Sequence, residues 1–147
     1  MVELIRTPEP KLIQRLVELE SLAFKTGGWN EWTFVPIIRH GLVFCFRLKG
    51  EVIGVAEYMR DWEQPSLAYL FGISIEEDHR GQNLGTILLR DSMEELKRQG
   101  ISNVELTVSP ENHPAIAVYR KLGFEIIEYR KNEYGDGEDR LAMSLAL

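Results

Sequence analysis

Arg80-Gly81-Gln82-Asn83-Leu84-Gly85-Thr86 is a polar, glycine-bearing turn set between two apolar segments. Before it, Leu67-Ala-Tyr-Leu-Phe-Gly-Ile-Ser-Ile75 reads as a buried strand, and after it Leu84 to Gln99 reads as a helix stopped by Gly100. A strand, a tight turn and a helix N-terminus leave backbone N–H groups unpaired and pointing outward, where they can hold a phosphate. The stretch therefore predicts a protein that uses a phosphate-bearing cofactor.

The segments on either side supply a sheet to carry that turn. Val2–Ile5 reads as a short first strand. Leu12, Leu16, Leu19 and Ala23 recur at helical spacing, widened by Ile13, Val17 and Phe24, and Gly27-Gly28 marks the expected end of that helix. Glu31–His40 reads as a second helix that Pro36 should make irregular or very short. Leu42–Leu48 and Val52–Met59 read as strands joined at Lys49-Gly50-Glu51. Val104–Val108 is a fifth strand, and Ala115, Ile116, Val118, Tyr119 and Leu122 trace a helical face between Pro114 and Gly123. Phe124–Arg130 and Arg140–Leu147 form a last strand pair around the turn-rich Lys131–Asp139. The order predicts one α+β domain, residues 1–147, built on a mixed sheet.

Composition excludes several classes. The 147 residues are 44% hydrophobic and 27% charged, ordinary for a globular chain, and the formal charge of −6 argues against a nucleic-acid partner. An acidic surface favours cationic partners such as amines. Cys45, inside Leu42-Val-Phe-Cys-Phe46, is the single cysteine, so no disulfide forms within the chain and a reducing compartment is expected. Its apolar neighbours predict a core residue. Met1-Val-Glu-Leu-Ile-Arg-Thr-Pro8 lacks the pattern of a signal peptide, and no apolar run approaches the roughly 20 residues of a membrane span. A cytoplasmic protein with no membrane partner and no metal is expected, monomeric or homodimeric.

With that element order, Arg80-Gly-Gln-Asn-Leu-Gly85 is similar to the Arg/Gln-x-x-Gly-x-Gly/Ala signature of the GNAT superfamily of acyl-CoA-dependent N-acetyltransferases. A second block, Asn112-His-Pro-Ala-Ile-Ala-Val-Tyr119-Arg-Lys-Leu-Gly-Phe124, resembles the Asn…Ala…Tyr…Gly-Phe block of that family at undisturbed spacing. The resemblance implies a mixed sheet of six to seven strands flanked by about four helices, with the fourth and fifth strands splayed. It also implies acetyl-CoA as co-substrate and transfer to an amine. Its strongest likeness is to ribosomal-protein and archaeal N-terminal acetyltransferases. One residue departs: Asn83 stands where the family has glycine, and asparagine is among the residues that best tolerate a positive φ.

Residue roles follow from the resemblance. The amides of Gln82, Leu84, Gly85 and Thr86, with Arg80, Gly81 and Asn83 shaping the turn, would meet the pyrophosphate. Ile73, Ser74 and Ile75 would pair with the pantetheine arm, and Asn112 would contact the cofactor or cap the helix it opens. Tyr119 matches the general acid for the departing thiolate, and a phenol keeps its proton at neutral pH. The family's strand-five Glu is replaced by Thr107, which leaves Glu105, roughly 6.5 Å away along an ideal strand, as the base candidate. Glu57, His79 and His113 are weaker candidates.

On the acceptor side, Trp29 and Trp32 in Lys25–Trp32 and Tyr134 in the last turn are the candidate substrate contacts. Glu133 stands where the family pairs a second tyrosine, and Arg140 replaces a small residue. Glu31, Glu57, Glu63 and Glu133 could draw in an amine. No nucleophile is evident in either block, so direct transfer without an acyl-enzyme is expected. The leading acceptor is a peptide N-terminus. A small amine (polyamine, amino acid or antibiotic) and a non-catalytic acetyl-CoA sensor are the alternatives.

Overall fold

A computed structural model describes residues 1–24 and 28–147. The strands are β1 (Val2–Ile5), β2 (Leu42–Leu48), β3 (Glu51–Arg60), β4 (Leu67–Ile75), β5 (Asn103–Val108), β6 (Glu125–Arg130) and β7 (Arg140–Ala146). The helices are α1 (Pro10–Ala23), α2 (Glu31–His40), α3 (Leu84–Arg98) and α4 (His113–Leu122), with one 3₁₀ turn at Glu77–His79. All seven strands join one sheet in the order β1-β2-β3-β4-β5-β7-β6, in which only β4 and β5 run parallel.

Alternation along the strands divides the core into two layers. Val43, Cys45, Val52 and Val55 pack with Ile13, Leu16 and Leu19 of α1 and with Phe34 and Ile38 of α2. Phe44, Phe46, Ala56, Tyr58, Leu70 and Leu106 pack on the other face with Leu88, Leu89, Met93 and Leu96 of α3 and Tyr119 of α4. Cys45 is fully buried, as its neighbours predict, and burial pushes its thiol up to about 11.

Two local expectations are corrected. The first helix ends at Ala23, where Phe24 turns extended and donates its amide to the Glu20 carbonyl at 2.8 Å. The expected stop at Gly27 lies outside the described residues. Pro36 neither shortens nor breaks α2, a ten-residue helix. Asn30 caps its start by accepting from the Trp32 amide, and the buried Phe34 and Ile38 anchor it on either side of the proline. Burial outweighs the single hydrogen bond that proline removes.

The feature that positions the site is where β4 leaves β5. The two pair only from Leu67↔Asn103 to Leu70↔Leu106, while β4 keeps its β3 partners as far as Ile75. Opposite Glu57 and Tyr58, β4 carries one extra residue, Phe71, and this bulge bends the strand away. The strands therefore splay, and the β4 edge beyond Leu70 faces a gap.

Candidate active site

One wall of the gap is made of backbone. Gly81 has φ +76° and Asn83 has φ +66°, so the turn curls back on itself directly before α3. Asparagine thus takes the left-handed conformation its side chain tolerates. No side chain caps α3. Among the described residues the amides of Leu84, Gly85 and Thr86 meet no acceptor, as expected for a first helical turn. Arg80 secures the turn, its Nε donating to the Ile75 carbonyl at 3.0 Å. A Cβ on Gly85 would sit 3.6 Å from Ile75, an ordinary contact, and one on Gly81 would meet nothing within 4 Å. These residues, with Ile75, His79 and Val118, line an open cavity of about 460 Å³ whose floor is a helix N-terminus. Unpaired amides at the positive end of α3 suit the pyrophosphate of coenzyme A, and the free β4 edge at Ile73, Ser74 and Ile75 suits an amide-bearing arm.

Across the gap stands Tyr119 on α4. It is 9% exposed, its ring meets Phe124 edge to face at 5.8 Å, and burial, followed by the neighbouring Tyr69, pushes its phenol up to about 12. It therefore carries its proton at neutral pH. Asn112 accepts from the Ala115 amide at 3.3 Å and so caps α4.

The opposite wall is made of side chains. Tyr69 on β4 lies beside Glu105 in the strand register, and its hydroxyl is 3.0 Å from Thr107 Oγ1 and 3.5 Å from Tyr134 Oη. Burial pushes the Tyr69 phenol up to about 12. Edge-to-face contacts continue the surface from Tyr69 to Phe71 at 5.3 Å, from Phe71 to Trp29 at 5.0 Å and from Trp29 to Phe34 at 5.4 Å. Tyr134 rides on the β6–β7 turn, which its own polar groups tie down. Asp139 accepts from the Tyr129 hydroxyl and from the Asn132 amide, and Asn132 Oδ1 accepts from the Gly137 amide at 2.9 Å. Arg140 holds its guanidinium 4.9 Å above the centre of the Tyr134 ring.

The predicted site residues therefore converge unequally. Tyr119, Glu105, Thr107, Tyr134 and Trp29 surround the splayed strands, whereas Trp32 is 83% exposed at the start of α2, apart from the Trp29–Phe71 wall. The Lys25–Gly27 part of the expected acceptor segment lies outside the described residues. His79 is engaged by Glu76 at 2.9 Å, which also holds Arg15 at 2.6 Å, and His113 is exposed at the start of α4.

Sequence reasoning passed over Tyr69 and Phe71. The available signal was two aromatic residues placed at alternate positions in an otherwise aliphatic strand. It also passed over Glu20. The Glu57 carboxyl is 1% exposed and lies beneath Gly72, its Oε1 without a hydrogen-bond partner, and Glu20 is likewise buried at 4% exposed. Burial first, and Glu20 second, hold the Glu57 carboxyl well above the usual carboxylate range.

Comparison with known proteins accounts for this arrangement. Residues 9–124 match the family model described as the acetyltransferase (GNAT) family. The chain is 32% identical to the N-alpha-acetyltransferase of Sulfurisphaera tokodaii over 147 aligned positions, covering 92% of this chain and 87% of that protein. Its fold superposes on the ribosomal-protein-S18-alanine N-acetyltransferase of Escherichia coli with a TM-score of 0.81 at 27% identity, covering 99% and 94% of the two chains. A Bacillus subtilis acetyltransferase solved in complex with CoA shares the fold at a TM-score of 0.81 and 18% identity, covering 99% and 97%. The chain belongs to the acetyltransferase (GNAT) family, and is an enzyme that transfers an acetyl group from acetyl-CoA to an amine.

Proposed function

We propose that the acceptor is the α-amine of a peptide N-terminus, and that residues 1–147 form the single domain that acetylates it. The observation that carries this reading is the Tyr69–Thr107–Tyr134 contact, which ties the β6–β7 turn to the β4–β5 gap and extends the aromatic surface of Phe71 and Trp29. A cleft with an extended aromatic wall suits an extended chain entering amine first. The likeness to N-terminal acetyltransferases over most of the chain supports the same reading.

Acetyl-CoA supplies an activated thioester carbonyl. On the chain's side, the amides of Gln82, Leu84, Gly85 and Thr86, shaped by Arg80, Gly81 and Asn83, take the pyrophosphate at the α3 N-terminus. The β4 edge at Ile73, Ser74 and Ile75 takes the pantetheine arm, and Asn112 adds a contact beside its cap. Tyr119 stays protonated through burial and donates from Oη to the departing sulfur. Glu105, half-buried next to Tyr69, receives the amine proton through water. An α-amine loses its proton near pH 8, so this demand on the base is small. Trp29 and Tyr134 contact the peptide. The buried thiol of Cys45 fits a cytoplasmic setting, and the net charge of −6 fits a peptide or amine partner better than a nucleic acid.

Thiol release with acetyl-CoA and a panel of peptides tests the proposal. Peptides with free N-termini are turned over, and the same peptides with blocked N-termini but free lysines are not. Preference for polyamines or aminoglycosides over every peptide would refute it.

A further inference from the structure

Four arginines among the described residues are half-buried: Arg15, Arg47, Arg130 and Arg140. The first three each hold a carboxylate. Arg15 meets Glu76 at 2.6 Å, Arg47 meets Glu3 at 3.1 Å, and Arg130 meets Glu128 at 2.8 Å and Glu133 at 3.3 Å. Among the described residues Arg140 meets none, in a chain with 23 acidic residues. Its Nε is buried without a hydrogen-bond partner. Two acids of the same turn are already engaged, Asp139 by Tyr129 and Asn132, and Glu133 by Arg130.

A buried, unsatisfied guanidinium nitrogen is unfavourable unless something completes it. Its position says what that is. Arg140 lies two residues before Ala142, which pairs with Thr107, so it stands on the Tyr69–Thr107 face of the sheet. The Tyr134 ring holds it there from one side. The guanidinium thus lies beside the Tyr134 ring on the sheet face that borders the cleft assigned above to the acceptor. Its planar fork of donors matches a carboxylate with two parallel hydrogen bonds.

We propose that Arg140 is an acceptor-specificity residue that binds a carboxylate carried close to the reacting amine, so that the favoured substrates are peptides with Asp or Glu at the first or second position. This rests on the reading of the cleft as the peptide site. The same chemistry could come from the α-carboxylate of a free amino acid, and the test separates the two sources.

The measurement is kcat/KM with saturating acetyl-CoA on matched peptides that differ only by Glu against Gln at the first or the second position, with free glutamate and glutamine as a second arm. The wild type prefers the Glu peptide at one of those positions by about tenfold or more, and added salt lowers the ratio. In Arg140→Gln the ratio falls to about one, Arg140→Lys keeps an intermediate ratio, and Arg140→Glu reverses it. The readout is a ratio on one enzyme preparation, so a general loss of activity or folding does not imitate it. Equal turnover of Glu and Gln peptides by the wild type, or an unchanged ratio in Arg140→Gln, overturns the inference while leaving N-terminal acetylation standing. Absence of turnover on every peptide refutes the underlying peptide reading instead. A preference confined to free amino acids places the carboxylate on the α-carbon and overturns the peptide form of the inference.

Discussion

The two sides of the β4–β5 gap are built from different material. The cofactor side is backbone: a turn with two left-handed residues, an uncapped helix start and a strand edge without a partner. The acceptor side is side chains drawn from β4, β5, the segment just before α2, the β6–β7 turn and β7. Backbone offers the same donors whatever the sequence around it, so one recognition site for one cofactor can persist while side chains change. Side chains carry the choice of acceptor. Tyr119 stands between the two, and the proposed mechanism gives it the step common to any amine.

That division makes predictions of graded size. The largest effect belongs to Tyr119→Phe, which removes the proton donor and lowers kcat by about 10²-fold or more while the acetyl-CoA KM holds. Retention of full kcat with chemistry shown to be rate-limiting would remove Tyr119 from the mechanism. Next comes Asn83→Val. A β-branched residue at φ +66° costs about 1–2 kcal/mol, so acetyl-CoA binds about tenfold more weakly by calorimetry, whereas Asn83→Gly binds at least as tightly as the wild type. Equal affinity in the valine variant would break the claim that this side depends on backbone conformation.

Tyr69→Phe touches the opposite side only. It loses the hydroxyl contacts to Thr107 and Tyr134, and kcat/KM for the peptide falls about fivefold with acetyl-CoA affinity unchanged. A matched loss in acetyl-CoA affinity would show that the two sides are not separable.

The smallest effect is on stability and comes from the Glu20–Glu57 pair. The folded chain keeps a proton on Glu57 that the unfolded chain releases above about pH 4.3. The stability due to that proton is complete below the unfolded value and is lost as pH rises through the higher folded value. Glu57→Gln removes this dependence, so between about pH 5 and pH 8 its melting temperature falls less than that of the wild type by about 3 °C. Parallel pH profiles for the two proteins would exclude the raised Glu57 pKa.

Much of the fold was legible because its elements satisfy local rules. The strands at Val2–Ile5, Leu42–Leu48 and Leu67–Ile75 and the second helix, Glu31–His40, run between the expected residues, since apolar runs, caps and glycine stops act over a few positions. Pro36 was misread for the opposite reason. Whether a proline breaks a helix depends on what the helix buries, and Phe34 and Ile38 find their partners on strands remote in sequence. Glu57 was legible as a carboxyl on the third strand, but its raised pKa was not, because Glu20 lies 37 positions earlier and meets it only when α1 packs on the sheet.

The amino-acid sequence alone determined the turn and helix start of the cofactor side: the Arg80–Thr86 turn and the Asn112–Phe124 block are each contiguous, and contiguous residues set local backbone geometry. Only the tertiary structure decided the acceptor side. The sheet places β4 next to β5 and β7 beside it, and the bulge at Phe71 opens the gap. Tyr69, Thr107, Tyr134 and Arg140 come together there from positions spread over half the chain, leaving one guanidinium without a carboxylate. Such a cluster has no local pattern to read, because its members share a place and not a spacing.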